Sequence, residues 1–174
     1  MIMQRELRLS GSGGQGLILA GVILAEAAVL DGKRAIQSQS YGPEARGGAS
    51  KAEVIISDDE IDFIKVQNCE MLLCLTQDAY DKYGKDFTKV LIVDENLSLK
   101  YNEPEKVLRL PILDTASNKL GKHMVANIVA LGAINGLLKL VSKESLLEAV
   151  MDRVPRGTEE LNKEALESGY ELIR

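Results

Sequence analysis

The stretch "ELRLSGSGGQGLILAGVILAEAAVL", Glu6 to Leu30, sets the fold class. Glu6–Ser10 alternates polar with apolar residues, the period of a strand half-buried on one face, and ends in a glycine cluster. From Gln15 to Leu30 the chain is apolar nearly all round, as expected of a helix packed on a sheet. Strand, glycine turn and buried helix in that order begin a layered α/β fold.

The remaining chain continues the theme. Arg34–Tyr41, Ser50–Ser57, "MLLCL", "KVLIVDE" and "KVLRLPI" read as five more strands, and Gln77–Tyr83 as a short helix. A long helix is predicted over Gly121–Val141, followed by "KESLLEAVMDRV" and "TEELNKEALESGYELI". Ser142 and Thr158 stand at N-cap positions with acids in the turn after each. In the long helix Gly132 and Gly136 would admit another backbone closely, and the helix should be buried. The pattern predicts one domain over residues 1–174, with a mostly parallel sheet flanked by helices, Rossmann-like but with variant connectivity. The variation lies at Tyr41–Ser50, a return between two strands with no helix in it.

Composition removes several function classes. The chain has 174 residues, is 45% hydrophobic and 27% charged, and carries a net charge of −5 without a Lys/Arg block, so no nucleic-acid footprint is present. The apolar run "LILAGVILA" stops at Glu26 after nine residues, too short to span a bilayer, and the N-terminus lacks a signal-peptide layout. A cytoplasmic protein is expected. Cys69 and Cys74 have no cluster-type spacing, and their offset is expected to put them on opposite faces of one strand, as buried, inert thiols.

The glycines of "GSGGQG", at Gly11, Gly13 and Gly16, match the spacing G-x-G-x-x-G at a strand-to-helix junction, where backbone N–H groups favour an anion. A tight turn with no ligand is the alternative. The ribose-binding acid of a dinucleotide fold is missing, because the second strand ends Gln37-Ser38-Gln39-Ser40. Leu17 and Ile18 follow the last glycine in place of the Lys and Ser/Thr of a P-loop. Neither a nicotinamide dinucleotide nor a nucleoside triphosphate fits, and another phosphate compound stays open. No catalytic residue is assigned: His123 reads as a helix-start histidine, and Asp94-Glu95 as turn-capping acids.

"GSGGQGLILAGVILAEAA" followed by "QSQSYGPEARGGASKAEVIIS", with "HMVANIVALGA" and "ELNKEALESGYEL" later, resembles the gamma subunit of 2-oxoacid:ferredoxin oxidoreductases, in the pyruvate/ketoisovalerate oxidoreductase gamma family. The second loop, Gln39 to Gly48, looks like the 2-oxoglutarate branch; complexes acting on pyruvate or a branched-chain oxoacid are the alternative, as is a stand-alone nucleotide-binding or scaffold module. The resemblance implies a complex that forms acyl-CoA and CO₂ from an oxoacid and coenzyme A and passes electrons to ferredoxin. It implies alpha, thiamine-binding beta and ferredoxin-like delta subunits as partners, with thiamine diphosphate and iron–sulfur clusters on those chains. This chain would bind no cofactor tightly, would be inactive and could form a homodimer when isolated, and would take coenzyme A as a substrate. The implied ligand residues are Gly11, Ser12, Gly13, Gly14, Gln15, Gly16 and Arg46. Tyr41, Gly42, Pro43, Glu44, Gly47 and Gly48 would form an active-site or interface loop, with Glu44 holding Arg46 or meeting a partner.

A guanidinium can grip a phosphate or carboxylate with two parallel hydrogen bonds, which Lys cannot copy. Arg46→Ala in the reconstituted complex should cost about 1.5–3 kcal/mol, or roughly ten- to hundredfold in kcat/KM for coenzyme A. Arg46→Lys should restore part of that. Steady-state kinetics, after gel filtration has confirmed assembly, checks this; a fully active Arg46→Ala complex would make the loop a spacer.

Overall fold

The computed structural model describes residues 3–40, 48–100 and 104–174. Strand β1 (Gln4–Ser12) turns Leu7 and Leu9, both fully buried, to one face, and Glu6, Arg8 and Ser10 to the other. It pairs antiparallel with β3 (Ala49–Ser57) and parallel with β4 (Met71–Cys74). With β2 (Arg34–Gln39), β5 (Val90–Asp94) and β6 (Val107–Leu110) the six-stranded sheet has the order β2-β3-β1-β4-β5-β6. Only β3 runs against the rest. The sheet is therefore mostly parallel, and β2 and β3, as antiparallel neighbours, need no crossover between them.

Helices α1 (Leu17–Leu30), α4 (Ala126–Leu138), α5 (Lys143–Arg153) and α6 (Glu159–Glu171) share the larger core with Leu7, Leu9, Val54, Ile56, Met71 and Leu73. On the opposite face α2 (Gln77–Tyr83) packs Ala79, Tyr80 and Tyr83 against Leu72, Cys74, Leu91 and Val93. The polar side chains there are paired: Arg8 donates twice to Glu53 Oε2, at 3.2 and 3.0 Å, and lies over the Tyr83 ring.

Several expected boundaries move. β1 runs on through Gly11 and Ser12, which pair with Ser50 and Ala49. β6 stops at Leu110; beyond Pro111 the chain forms a helical turn α3 (Ile112–Asp114) that passes into a π-helical turn, Thr115–Lys119. The predicted Gly121–Val141 helix is shorter. Gly121 and Lys139 are left-handed at its two ends, and a 3₁₀ turn, His123–Val125, precedes α4. Ser142 caps α5 as expected, its Oγ accepting from Ser145 N–H at 3.1 Å. Thr158 occupies the N-cap position of α6 but does not cap it: its Oγ donates to the Pro155 carbonyl and accepts from Asn162 Nδ2.

The two cysteines do not lie on opposite faces. Cys69 precedes the first residue of β4, so strand alternation does not reach it, and both thiols join the smaller core beside α2. Asp31 ties α1 to α5, accepting from Ser142 N–H at 2.6 Å and from Ser142 Oγ at 2.8 Å. Burial pushes its pKa up, but the Ser145 and Ser142 donors and Lys33 outweigh that and hold it below its ordinary 3.8. The stability of this tie is present above the unfolded-state pKa and is lost as pH falls through the folded one.

Helix α4 is buried from Ala126 to Gly136, as the sequence predicts. It meets α6 backbone to backbone. A Cβ on Gly169 would strike the Val129 carbonyl and come within 2.8 Å of Gly132 Cα; one on Gly132 would strike the Leu166 carbonyl. Alanine gains up to about 1 kcal/mol in helix propensity, but backbone atoms cannot step aside as a flexible side chain can. Gly169→Ala should destabilise the fold by about 1–3 kcal/mol in urea unfolding, with a similar loss for Gly132→Ala.

Candidate functional site

Beyond Ser12 the chain must turn from β1 into α1 within Gly13–Gly16. Gly14 (φ 87°) and Gly16 (φ 74°) take left-handed conformations that side chains rarely adopt. Gln15 folds back so that its Oε1 accepts from Ser12 N–H at 2.8 Å. Gly16 is the N-cap of α1 and supplies no side chain to the helix, and the first turn contains no acid. The positive end of a 14-residue helix is thus left without a carboxylate or hydroxyl of its own.

Helix α4 fixes this turn in place. Asn127, only 4% exposed, donates from Nδ2 to the Gly16 carbonyl at 3.0 Å, and its Oδ1 accepts from Ile128 N–H. The Gly16 carbonyl also accepts from Ala20 N–H at 3.0 Å. A Cβ on Gly16 would come within 2.5 Å of Asn127 Nδ2, so this glycine answers to both backbone angle and space.

The turn opens on a cavity of about 370 Å³ between the starts of α1 and α4 and the α5–α6 connection. Lys122, Asn127, Thr158 and Asn162 line its polar part; Leu19, Met124 and Leu161 are among the apolar residues. Lys122 is exposed and Met124 is 74% exposed. These are groups for an anion with an apolar extension. Among the described residues, no Cys, His, Asp or Glu lines the cavity.

The structure divides the six residues of the predicted loop. Gly11 and Ser12 belong to β1, with Gly11 buried and the Ser12 N–H already bonded, and Gly13 and Gly14 form the exposed crest. Tyr41, Gly42, Pro43, Glu44, Ala45, Arg46 and Gly47 lie outside the described residues. The residues flanking them reach the glycine end of the sheet: Ser50 pairs with Gly11, and Ser40 N–H donates to the Lys51 carbonyl. Gly48 is a half-buried bend leading into β3. Asp94 is fully buried and acts as a turn cap, accepting from Asn96 N–H at 3.2 Å and Leu113 N–H at 2.8 Å. His123 opens the 3₁₀ turn, exposed. Sequence reasoning missed Lys122, Thr158 and Asn162, and the polar Asn127 inside an apolar run was the visible clue.

The family model for pyruvate ferredoxin/flavodoxin oxidoreductase matches residues 6–172. The chain belongs to this family. It is 53% identical to the 2-oxoglutarate synthase subunit KorC of Methanocaldococcus jannaschii, over 99% of this chain and 95% of that one. The crystal structure of the keto/oxoacid ferredoxin oxidoreductase gamma subunit from Geobacter sulfurreducens superposes with a TM-score of 0.86 at 51% identity, over 98% of this chain and 97% of that one. The expected likeness to a gamma subunit is borne out. The same fold recurs, at 22% identity and a TM-score of 0.84, in 31% of a chain of a 2-oxoglutarate:ferredoxin oxidoreductase from Magnetococcus marinus, matching 98% of this chain; that enzyme was solved with 2-oxoglutarate, coenzyme A and succinyl-CoA bound. No helix among the described residues is long and apolar enough to cross a membrane.

Burial pushes the Cys69 thiol up to about 11 and the Cys74 thiol up to about 12, so both stay protonated at neutral pH. No group of three or more His, Cys, Asp or Glu among the described residues could hold a metal ion. A thiol reagent at pH 8 should leave both cysteines untouched in the folded chain and titrate both in denaturant; fast labelling of the native chain would contradict the burial.

Proposed function

We propose that this chain is the gamma subunit of a 2-oxoglutarate:ferredoxin oxidoreductase complex, and that its Gly13–Gly16 turn, with Lys122, holds the phosphates of coenzyme A. The observation that carries the reading is the uncapped, acid-free start of α1 beside a cavity that Lys122 also lines. Phosphate oxygens suit backbone N–H groups, the helix dipole and an ammonium together. The apolar lining at Leu19, Met124 and Leu161 offers contact to the less polar parts of the same molecule.

Support for the complex comes from the near full-length likeness to a 2-oxoglutarate synthase subunit. In this reading the complex forms succinyl-CoA and CO₂ from 2-oxoglutarate and coenzyme A, and ferredoxin takes the electrons. Thiamine diphosphate and the iron–sulfur clusters reside on the alpha, beta and delta partners. The described lining of the cavity fits that division, because its polar residues are Lys122, Asn127, Thr158 and Asn162 rather than cysteines or acids.

The test is kinetics of the reconstituted complex with Lys122→Ala and Gly13→Val. Loss of a charge-assisted contact at Lys122 should raise KM for coenzyme A about tenfold or more, with KM for the oxoacid unchanged. Gly13→Val, which crowds the crest of the turn, should act in the same direction. Equal damage to both substrates would indicate lost assembly, and unchanged coenzyme A kinetics would remove the phosphate role. Comparing 2-oxoglutarate, pyruvate and a branched-chain oxoacid as substrates decides the branch.

A further inference from the structure

The end of the sheet opposite the glycine turn carries a second feature. Between β3 and β4 the chain makes a loop, residues 58–68, reading "DDEIDFIKVQN", with no helix or strand in it. Phe63 and Ile64, adjacent at its outer part, are 62% and 67% exposed. Asp58, Asp59, Glu60 and Asp62 precede them, all exposed, and the single base Lys65 follows.

This loop is anchored, not loose. The Glu6 carboxylate, 8% exposed, accepts from Gln67 N–H at 3.3 Å and Asn68 N–H at 2.8 Å, fastening the loop's return to β1. At the other foot, Asp58 N–H donates to the Met3 carbonyl and Asp59 N–H to Ser57 Oγ. Burying a carboxylate to hold a loop costs desolvation, which the two N–H donors offset. The result presents two large apolar side chains to water on a fixed frame. Single exposed apolar residues need no explanation, but two adjacent ones on a braced acidic loop have the form of an interface anchor, already ordered before a partner arrives.

We infer that the Phe63–Ile64 loop is a docking surface for another protein subunit, one that presents an apolar pocket rimmed by Lys and Arg. The charge around the anchor selects this occupant. A second copy of this chain docked loop to loop about a two-fold axis would set four acids against four acids, and an anionic membrane would repel the same acids. A basic rim instead complements them and steers the encounter. Gln4 pairs with Ser57 and Ser12 with Ala49, so β1 separates this loop from the glycine turn by about 26 Å, eight strand steps. The anchor is thus separate from the cavity proposed for coenzyme A.

The inference rests on the reading of the chain as one subunit of a complex, and the experiment separates the two. The purified remaining subunits of the oxidoreductase are titrated onto the tagged full-length chain. Phe63→Ser/Ile64→Ser should weaken association roughly thirtyfold or more, the scale of an interface hot spot, while its melting temperature stays that of the parent. Asp59→Lys/Asp62→Lys, which leaves the apolar pair intact, should also weaken it and flatten the decline of parental affinity with rising salt. Parental affinity in both variants overturns the docking surface and leaves the subunit reading standing. Failure of the parent chain itself to bind the other subunits overturns both. A homodimer of the isolated chain that is lost on Phe63→Ser/Ile64→Ser overturns the choice of occupant.

Discussion

The hydrogen bond from Asn127 Nδ2 to the Gly16 carbonyl joins positions 111 residues apart and determines where the glycine turn sits. Gly16 must be left-handed to send the chain from β1 into α1, and in that geometry its carbonyl serves both the first turn of α1 and the amide of α4. The position of Asn127 depends on α4, which is set in turn by the meeting of Gly132 with Gly169 on α6. Further along α4, Asn135 repeats the device: its Oδ1 accepts from Val141 N–H, and its Nδ2 donates to the Val141 carbonyl and to the Tyr170 hydroxyl of α6. Two amides in an otherwise apolar helix thus fix its register, because a buried polar group left unpaired is costly.

Much of the architecture is legible in sequence, for reasons that are local. The alternation of Glu6–Ser10, the unbroken apolar runs of β4 and β5 and the all-round apolar α1 each record how many faces are buried. Gly132 could be recognised as a close-approach position, since little else explains glycine inside a helix. What escaped depends on tertiary context. Cys69 escapes strand alternation because the strand begins after it, and the Thr158 hydroxyl turns back to Pro155 although its position is that of a cap. The π-helical turn at Thr115–Lys119 follows Pro111 without any capping signature of its own.

The candidate site was half legible. Its glycines announce themselves by spacing, whereas the opposite wall comes from Lys122, Asn127, Thr158 and Asn162, which are brought together only by the packing of α4 against α6. None of the latter belongs to a spaced motif, and Lys122 in particular is an ordinary exposed lysine until the fold sets it beside the start of α1. The reversed strand β3 is equally consequential, since it brings the residues on either side of 41–47 to the glycine end and carries the acidic loop to the far one.

The strand order also bears on how the chain is made. β1, β2 and β3 are complete by Ser57 and occupy three adjacent places in the sheet, with β3 pairing with both of the others. Every later strand then adds to the growing edge in the order of synthesis, β4 on β1, β5 on β4, β6 on β5. No finished pair has to part to admit a newcomer, an arrangement suited to a nascent chain emerging N-terminus first. The glycine turn, although encoded within the first 16 residues, gains its Asn127 brace only when α4 arrives, and α4 gains its glycine contact only with α6. The turn encoded first is thus completed by the helix that emerges last.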